Sequence, residues 1–145
     1  MDKGELIVRE ATAKDLEDLV WLNALFNDVI ISTTYLAQQM DTPNRVETAL
    51  IARMGNTVIG FAALRIVPCL FYPDPQGEIT ELYVLAPYRR QGVAKKMIEY
   101  AENLARQKNV RELFILVNPE NREAIALYHH LGYKDNDVAL SKLLD

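Results

Sequence analysis

The sequence predicts a mixed α/β domain, a central sheet with helices on both faces, and three observations carry that expectation. Residues 47–53 and 57–67 are rich in Val, Ile, Leu and Phe and flank Met54-Gly55-Asn56, the pattern of a hairpin between antiparallel strands. Residues 92–106 form an amphipathic stretch between two strand-like segments, which implies a right-handed β-α-β crossover with a parallel pair. Half the chain is hydrophobic and a quarter is charged, the balance of a globular protein.

Taken in order, Leu6-Ile7-Val8-Arg9 reads as a first strand. Thr12 is an N-cap for a helix over residues 14–30, where Leu16, Leu19, Val20, Leu22, Leu25 and Phe26 recur near the helical period. Residues 34–40 predict a short second helix, stopped by the turn Asp41-Thr42-Pro43-Asn44. The hairpin strands follow, and three prolines make residues 68–77 a loop. A fourth strand is expected over 78–85. The helix over 92–106 presents one apolar stripe of Val93, Met97, Ile98, Ala101, Leu104 and Ala105. Residues 111–117 read as a buried strand, 120–131 as a helix closed by Gly132, and 138–144 as a last strand. A chain of 145 residues is expected to form one domain over 1–145.

No apolar run is long enough to cross a bilayer, and the start Met1-Asp2-Lys3-Gly4-Glu5 lacks a signal-peptide core, so a cytoplasmic protein is expected. A single cysteine, Cys69, excludes an internal disulfide and a cysteine-built metal site, and no metal is expected. Cys69 itself reads as a small buried hydrophobe near a strand end. The net charge of −4 argues against a nucleic-acid partner. A homodimer is left open. Against this acidic background Arg89, Arg90, Lys95 and Lys96 crowd together, where something anionic can sit.

That cluster belongs to the segment from Glu81 to Ala94: a strand ends, Pro87 starts a turn, and a helix opens at Gly92. The first N–H groups of a helix lack internal partners and its dipole is positive there, so an anion is favoured. Gly92 lets backbone approach a ligand, and Ala94 keeps that room. The plain alternative is a strand-turn-helix with solvent-facing arginines.

Here the chain resembles the GNAT family of N-acetyltransferases. Their pyrophosphate motif is Gln or Arg, two residues, Gly, one residue, then Gly or Ala; Arg89, Gly92 and Ala94 match it. The resemblance implies a cofactor site formed by Arg89, Arg90, Gln91, Gly92, Val93 and Ala94. It also implies that Leu82, Tyr83 and Val84 pair their backbone with pantetheine, and that the cosubstrate is acetyl-CoA. No P-loop and no three-glycine dinucleotide fingerprint is present.

A second motif runs from Asn118 to Tyr128. Asn121 and Tyr128 are seven residues apart, so on a helix they share a face about 10 Å apart along the axis. The resemblance implies that Asn121 hydrogen-bonds the cofactor and that Tyr128 sits near its sulfur. The competing readings are a helix cap for Asn121 and a core aromatic for Tyr128.

The reaction implied is direct attack of an amine on a thioester in a ternary complex. An alkyl ammonium, with a pKa of about 10, must lose a proton first, and a carboxylate acting through water can take it. Glu78 and Glu81 are the candidates, with Glu81 preferred. Three residues apart, they should face opposite sides of the sheet unless a bulge intervenes. A backbone N–H near Val84 would polarise the carbonyl, and Tyr128 would hydrogen-bond the departing thiolate.

The acceptor is expected to be a primary amine of a small molecule, held by the first two helices and the loop over 68–77. Phe26, Tyr35, Phe71 and Tyr72 are candidate lining residues, with Asp28 and Asp74 able to meet a cation. The alternatives are acetylation of protein N-termini or lysines, and a non-catalytic acyl-CoA-binding sensor. Relatives that modify a ribosomal N-terminus carry Glu where this chain has Leu116, which lowers that assignment. His129 and His130, adjacent on a helix, cannot share a face and are read as surface residues.

Overall fold

The computed structural model describes residues 4–145; Met1, Asp2 and Lys3, part of the polar start, lie outside the described residues. The elements are β1 (Leu6–Glu10), α1 (Leu16–Asn27), α2 (Thr33–Asp41), β2 (Glu47–Met54), β3 (Thr57–Val67), β4 (Gln76–Val84), α3 (Val93–Gln107), β5 (Leu113–Ile115) and α4 (Arg122–His130). The sheet order is β1-β2-β3-β4-β5, antiparallel except for β4 with β5. That mixed arrangement follows from chain economy. Two-residue turns such as Gly55-Asn56 reverse a strand, whereas the parallel β4–β5 pair is spanned by α3.

Strand alternation splits the core in two. Leu50, Ala52, Ile59, Ala62, Leu64, Ile79 and Val84 face α3, which buries Val93, Met97, Ile98, Ala101 and Ala105 against them. On the other face Ile51 and Phe61 meet Leu19 and Leu22 of α1. Helices therefore cover both faces, as the sequence predicts.

The entry into α1 is locked by charge. Thr12 and Asp15 form a capping box around a single 3-10 turn, and the Asp15 carboxylate, 1% exposed, accepts from Arg9 at 2.7 Å and Arg53 at 3.0 Å. α1 stops at Asn27, short of the expected residue 30, because Asp28 turns left-handed (φ 55°).

Three other expectations change. β5 spans only Leu113–Ile115 of the predicted 111–117, because β4 and β5 diverge beyond Ile79 and Leu116 is left 65% exposed. Residues 138–144 form no strand, with Val138, Leu140, Leu143 and Leu144 between 83% and 94% exposed. There the apolar alternation runs only from Val138 to Leu140 before Lys142 and the adjacent Leu143-Leu144 break it. Cys69, beyond the end of β3, is half-buried rather than buried.

Candidate active site

The link from β4 to α3 supplies the first part of the site. A 3-10 turn over Ala86–Tyr88, opened by Pro87, leads to Arg90 (φ 62°) and Gly92 (φ 83°), both left-handed. Among the described residues no acceptor meets the backbone N–H groups of Arg90 through Lys95; the first helical bond is Lys96 N–H to the Gly92 carbonyl at 3.0 Å. A row of unpaired donors at the positive end of a 15-residue helix suits an anion. A Cβ added at Gly92 would meet nothing within 4 Å. The space above the loop is open, and glycine is required there for its φ rather than for clearance.

The side chains divide the work. Arg89 turns inward: its Nε donates to the Val84 carbonyl at 2.8 Å and its guanidinium lies 5.6 Å from the Tyr83 ring centroid. Gln91 Nε2 donates to the Pro87 carbonyl at 3.1 Å. Both brace the loop. Val93 is buried, so it offers the cradle only its N–H, and Ala94 is half-buried. Arg90 projects into solvent with no partner among the described residues.

The second part is an open strand edge. β5 covers β4 only from Gly77 to Ile79, and from there to Val84 the strand is paired on the β3 side alone. Leu85 N–H donates to the Ile59 carbonyl at 2.8 Å, so alternation turns the backbone groups of Leu82 and Val84 toward the opening. Their side chains pack on the α3-side core, while Tyr83 stacks on Phe26 at 5.0 Å on the other face. Phe26 is therefore a wall of the α1 side. Phe71 and Tyr72, 86% and 74% exposed, belong to an outer loop, and Tyr35 is 49% exposed.

A bulge decides where the carboxylates point. β3 pairs Ala63 with Glu81 and Leu64 with Ile79, leaving Thr80 as an extra residue in β4. Ile79 and Leu82, three apart, both face α3, so Glu78 and Glu81 both face α1. The expectation of opposite faces is corrected by that one residue. Thr80 also sits on this side, donating to Glu47 Oε1 at 2.7 Å. Glu78 pairs with Arg65 at 3.4 Å, whereas among the described residues Glu81 accepts only from the neutral amide of Asn27, at 3.0 Å. Asp28 ends α1, and Asp74 lies 3.8 Å from Arg111.

From α4 comes the third part. Tyr128 packs half-buried against the α3-side core, its ring edge-on to Tyr133 at 6.4 Å, and its hydroxyl has no partner among the described residues. Burial raises its pKa above the ordinary phenol value, which keeps the hydroxyl a proton donor. Tyr133 instead donates to Glu102 Oε2 at 2.9 Å, and burial together with that carboxylate raises its pKa further. Asn121 is not on the α4 face. It is the N-cap, its side-chain oxygen accepting from Ala124 N–H at 3.2 Å. The capping alternative describes that oxygen. His129 bonds Asp135 at 2.8 Å on the surface.

An open cleft of about 1300 Å³ runs along the free edge of β5, and its lining includes Glu78, Leu116, Val117, Ile125 and Tyr128. Glu81 and residues 82–94 lie outside that cleft. Among the described residues no group of acidic, His or Cys side chains could hold a metal, and no helix is long and apolar enough to cross a membrane.

The pattern of the Acetyltransferase (GNAT) family matches residues 11–133. The chain belongs to that family. It is an N-acetyltransferase by descent. It is 30% identical over 142 residues to the aminoalkylphosphonate N-acetyltransferase of Salmonella typhimurium, covering 94% of this chain and 90% of the relative. It is 25% identical to an N-alpha-acetyltransferase of Saccharolobus solfataricus, over 92% of this chain and 83% of that one. Its fold superimposes on an aminoglycoside N-acetyltransferase, AAC(6')-Iy, in complex with CoA, with a TM-score of 0.83 at 20% identity, covering 97% and 95% of the two chains.

GNAT enzymes use acyl-CoA, and the unpaired N–H row with exposed Arg90 fits the pyrophosphate of such a ligand. Sequence reasoning about this acetyltransferase missed Asn27, Glu47, Arg65 and Thr80 on the α1 face. The signal was thin: a bulge leaves no mark in Gln76–Val84 beyond a polar Thr where alternation wants one residue fewer.

Proposed function

We propose that this acetyltransferase moves an acetyl group from acetyl-CoA to a primary amine of a small molecule, by direct attack in a ternary complex. The observation that carries the reading is the row of unpaired N–H groups from Arg90 to Lys95 beside the Leu82–Val84 edge, which no strand among the described residues covers and where Arg89 holds the Val84 carbonyl but not its N–H. Together they offer one continuous track for a pyrophosphate followed by an extended polar chain. The Val84 N–H, turned to the opening, would polarise a thioester carbonyl as negative charge builds on its oxygen.

Glu81 is the proposed base. Among the described residues no cation pairs with its charge, whereas Glu78 is paired with Arg65. Glu81 takes the amine's proton, directly or through water; the nitrogen lone pair forms the C–N bond as the C–S bond breaks. Tyr128 then donates a hydrogen bond or a proton to the leaving sulfur. Asn121 retains an amide nitrogen free of its capping role for a contact with the cofactor.

The aminoalkylphosphonate relative supports a small acceptor carrying an amine. A peptide N-terminus is the competing acceptor, supported by the N-alpha-acetyltransferase relative and by the exposed apolar run Leu70, Phe71 and Tyr72. The test is a panel of 2-aminoethylphosphonate, spermidine, kanamycin and an alanine-initiated peptide, each incubated with acetyl-CoA while free thiol is measured. Amine-dependent thiol release with a small amine supports the reading. Release with the peptide alone transfers the assignment to protein N-termini, and CoA binding without release in any arm makes the chain a sensor.

A further inference from the structure

At the C-terminal end of α1 two asparagines, one helical turn apart, form a relay that ends on Glu81. Asn27 Nδ2 donates to Glu81 Oε2 at 3.0 Å and to Asn23 Oδ1 at 2.8 Å. Asn23 Nδ2 donates in turn to the Val29 carbonyl at 3.2 Å. Both Asn27 amide hydrogens are thus committed, and the Asn23 acceptor fixes which way the Asn27 amide faces. The helix ends for the same purpose. Asp28 adopts φ 55° while its N–H bonds the Ala24 carbonyl at 3.1 Å, and that reversal brings Val29 back over Asn23.

The consequence for Glu81 is directional. Nδ2–H engages one lone pair of Oε2, so a proton arriving there would weaken the Asn27 bond, whereas one arriving on Oε1 would leave it intact. Oε1 has no partner among the described residues. We propose that Asn27, itself held by Asn23, is a positioning residue that fixes Glu81 so that Oε1 receives the acceptor amine's proton. Through Val29 the relay also ties that geometry to the connection between α1 and α2. The inference rests on the reading of Glu81 as the base.

The charged and polar groups on the same sheet face as this carboxylate include Glu47 on β2, Arg65 on β3, and Glu78 and Thr80 on β4 itself. Arg65 engages Glu78 and Thr80 engages Glu47, which leaves Asn27 as the donor that orients Glu81.

The experiment is a double-mutant cycle of Asn27→Ala and Glu81→Gln, with Asn23→Ala as a second variant that does not touch the carboxylate. The acceptor is 2-aminoethylphosphonate or whichever panel amine the wild-type protein acetylates, and kcat and both KM values are measured after confirming the fold by thermal unfolding. Asn27→Ala is expected to lower kcat about tenfold, less than the roughly hundredfold that a full 1 Å misplacement of a reacting group can cost. KM for acetyl-CoA should stay unchanged, and Asn23→Ala should act in the same direction but less. In the Glu81→Gln background the loss of Asn27 should add nothing. Multiplicative losses across the cycle, or a wild-type kcat for folded Asn27→Ala, overturn the positioning role while leaving Glu81 as base. A wild-type kcat for Glu81→Gln overturns the base reading and the relay with it.

Discussion

At the scale of single residues, two side chains show how burial fixes chemistry. Asp15 is the one acidic side chain fully enclosed among the described residues, and it is held by two guanidiniums and the Thr12 N–H. These donors, led by Arg9, pull its pKa far below the ordinary carboxylate value. Its stabilising contribution is complete above the unfolded value of about 3.9 and is lost as pH falls toward the folded one. Asp15→Asn should cost about 3 kcal/mol, the low end for breaking such a pair, because Arg9 and Arg53 stay 39% and 22% exposed. Denaturant titration at pH 7 and pH 3 checks this: the gap between wild type and variant should narrow at the lower pH. Tyr128 is the second case. With its pKa raised by burial, the hydroxyl stays protonated through neutral pH. Tyr128→Phe should therefore lower kcat, by about a hundredfold or more as for loss of a general acid, with acetyl-CoA KM little changed. Steady-state kinetics at saturating amine decide it, and an unaltered kcat would return Tyr128 to the core.

Elements show what a sequence can and cannot announce. α3 was legible because its apolar stripe repeats at the helical period and Gly92 marks its start, and all of Val93, Met97, Ile98, Ala101 and Ala105 are buried as that stripe requires. β2 and β3 were legible from composition and the Gly55-Asn56 turn. The bulge at Thr80 was not, since one extra residue changes pairing without changing residue types, yet it sets the direction of both candidate bases. Residues 138–144 were misread because Val138 and Leu140 alternate whereas Leu143-Leu144 do not, and composition alone weighs both patterns equally. The motif also singled out Leu82, Val84 and Gly92, and the structure leaves the β4 edge beyond Ile79 without a β5 partner and gives Gly92 a left-handed φ. The relay from Asn23 through Asn27 was not legible, since it joins residues 54 positions apart. Close packing between β3 and β4 gives an element-scale prediction. A Cβ at Gly60 would come 2.6 Å from the Tyr83 carbonyl oxygen and 3.3 Å from Met97 Cε. Gly60→Ala must push β4 away from β3, at about 1–3 kcal/mol for an overpacked core. A lower midpoint in urea with unchanged slope is the expected readout.

For the whole molecule, ligand binding and stability are one equilibrium. The cradle joins β4, the loop to α3 and the α3 helix, so a ligand on it stabilises the sheet and helix whose packing makes the core. Acetyl-CoA or CoA at a hundred times its Kd should add about 2.7 kcal/mol, which for a chain of this size is a rise in Tm of roughly 5–10 °C. ATP also carries phosphates for the Arg90–Lys95 donors, but it has no chain to lie along Leu82–Val84, so an equal concentration should give a clearly smaller shift. Gly92→Val separates the loop from the rest. The left-handed φ of 83° is strained for valine, so the unliganded Tm should fall modestly, by the roughly 1–2 kcal/mol of an L-residue in that region. The loop then moves to relieve that strain, the N–H groups no longer converge, and the rise with CoA should shrink much more than the unliganded Tm. A folded Gly92→Val protein with the full CoA shift would place the pyrophosphate elsewhere. ATP matching CoA degree for degree would mean that only the phosphates are recognised and that the open edge of β4 contributes nothing.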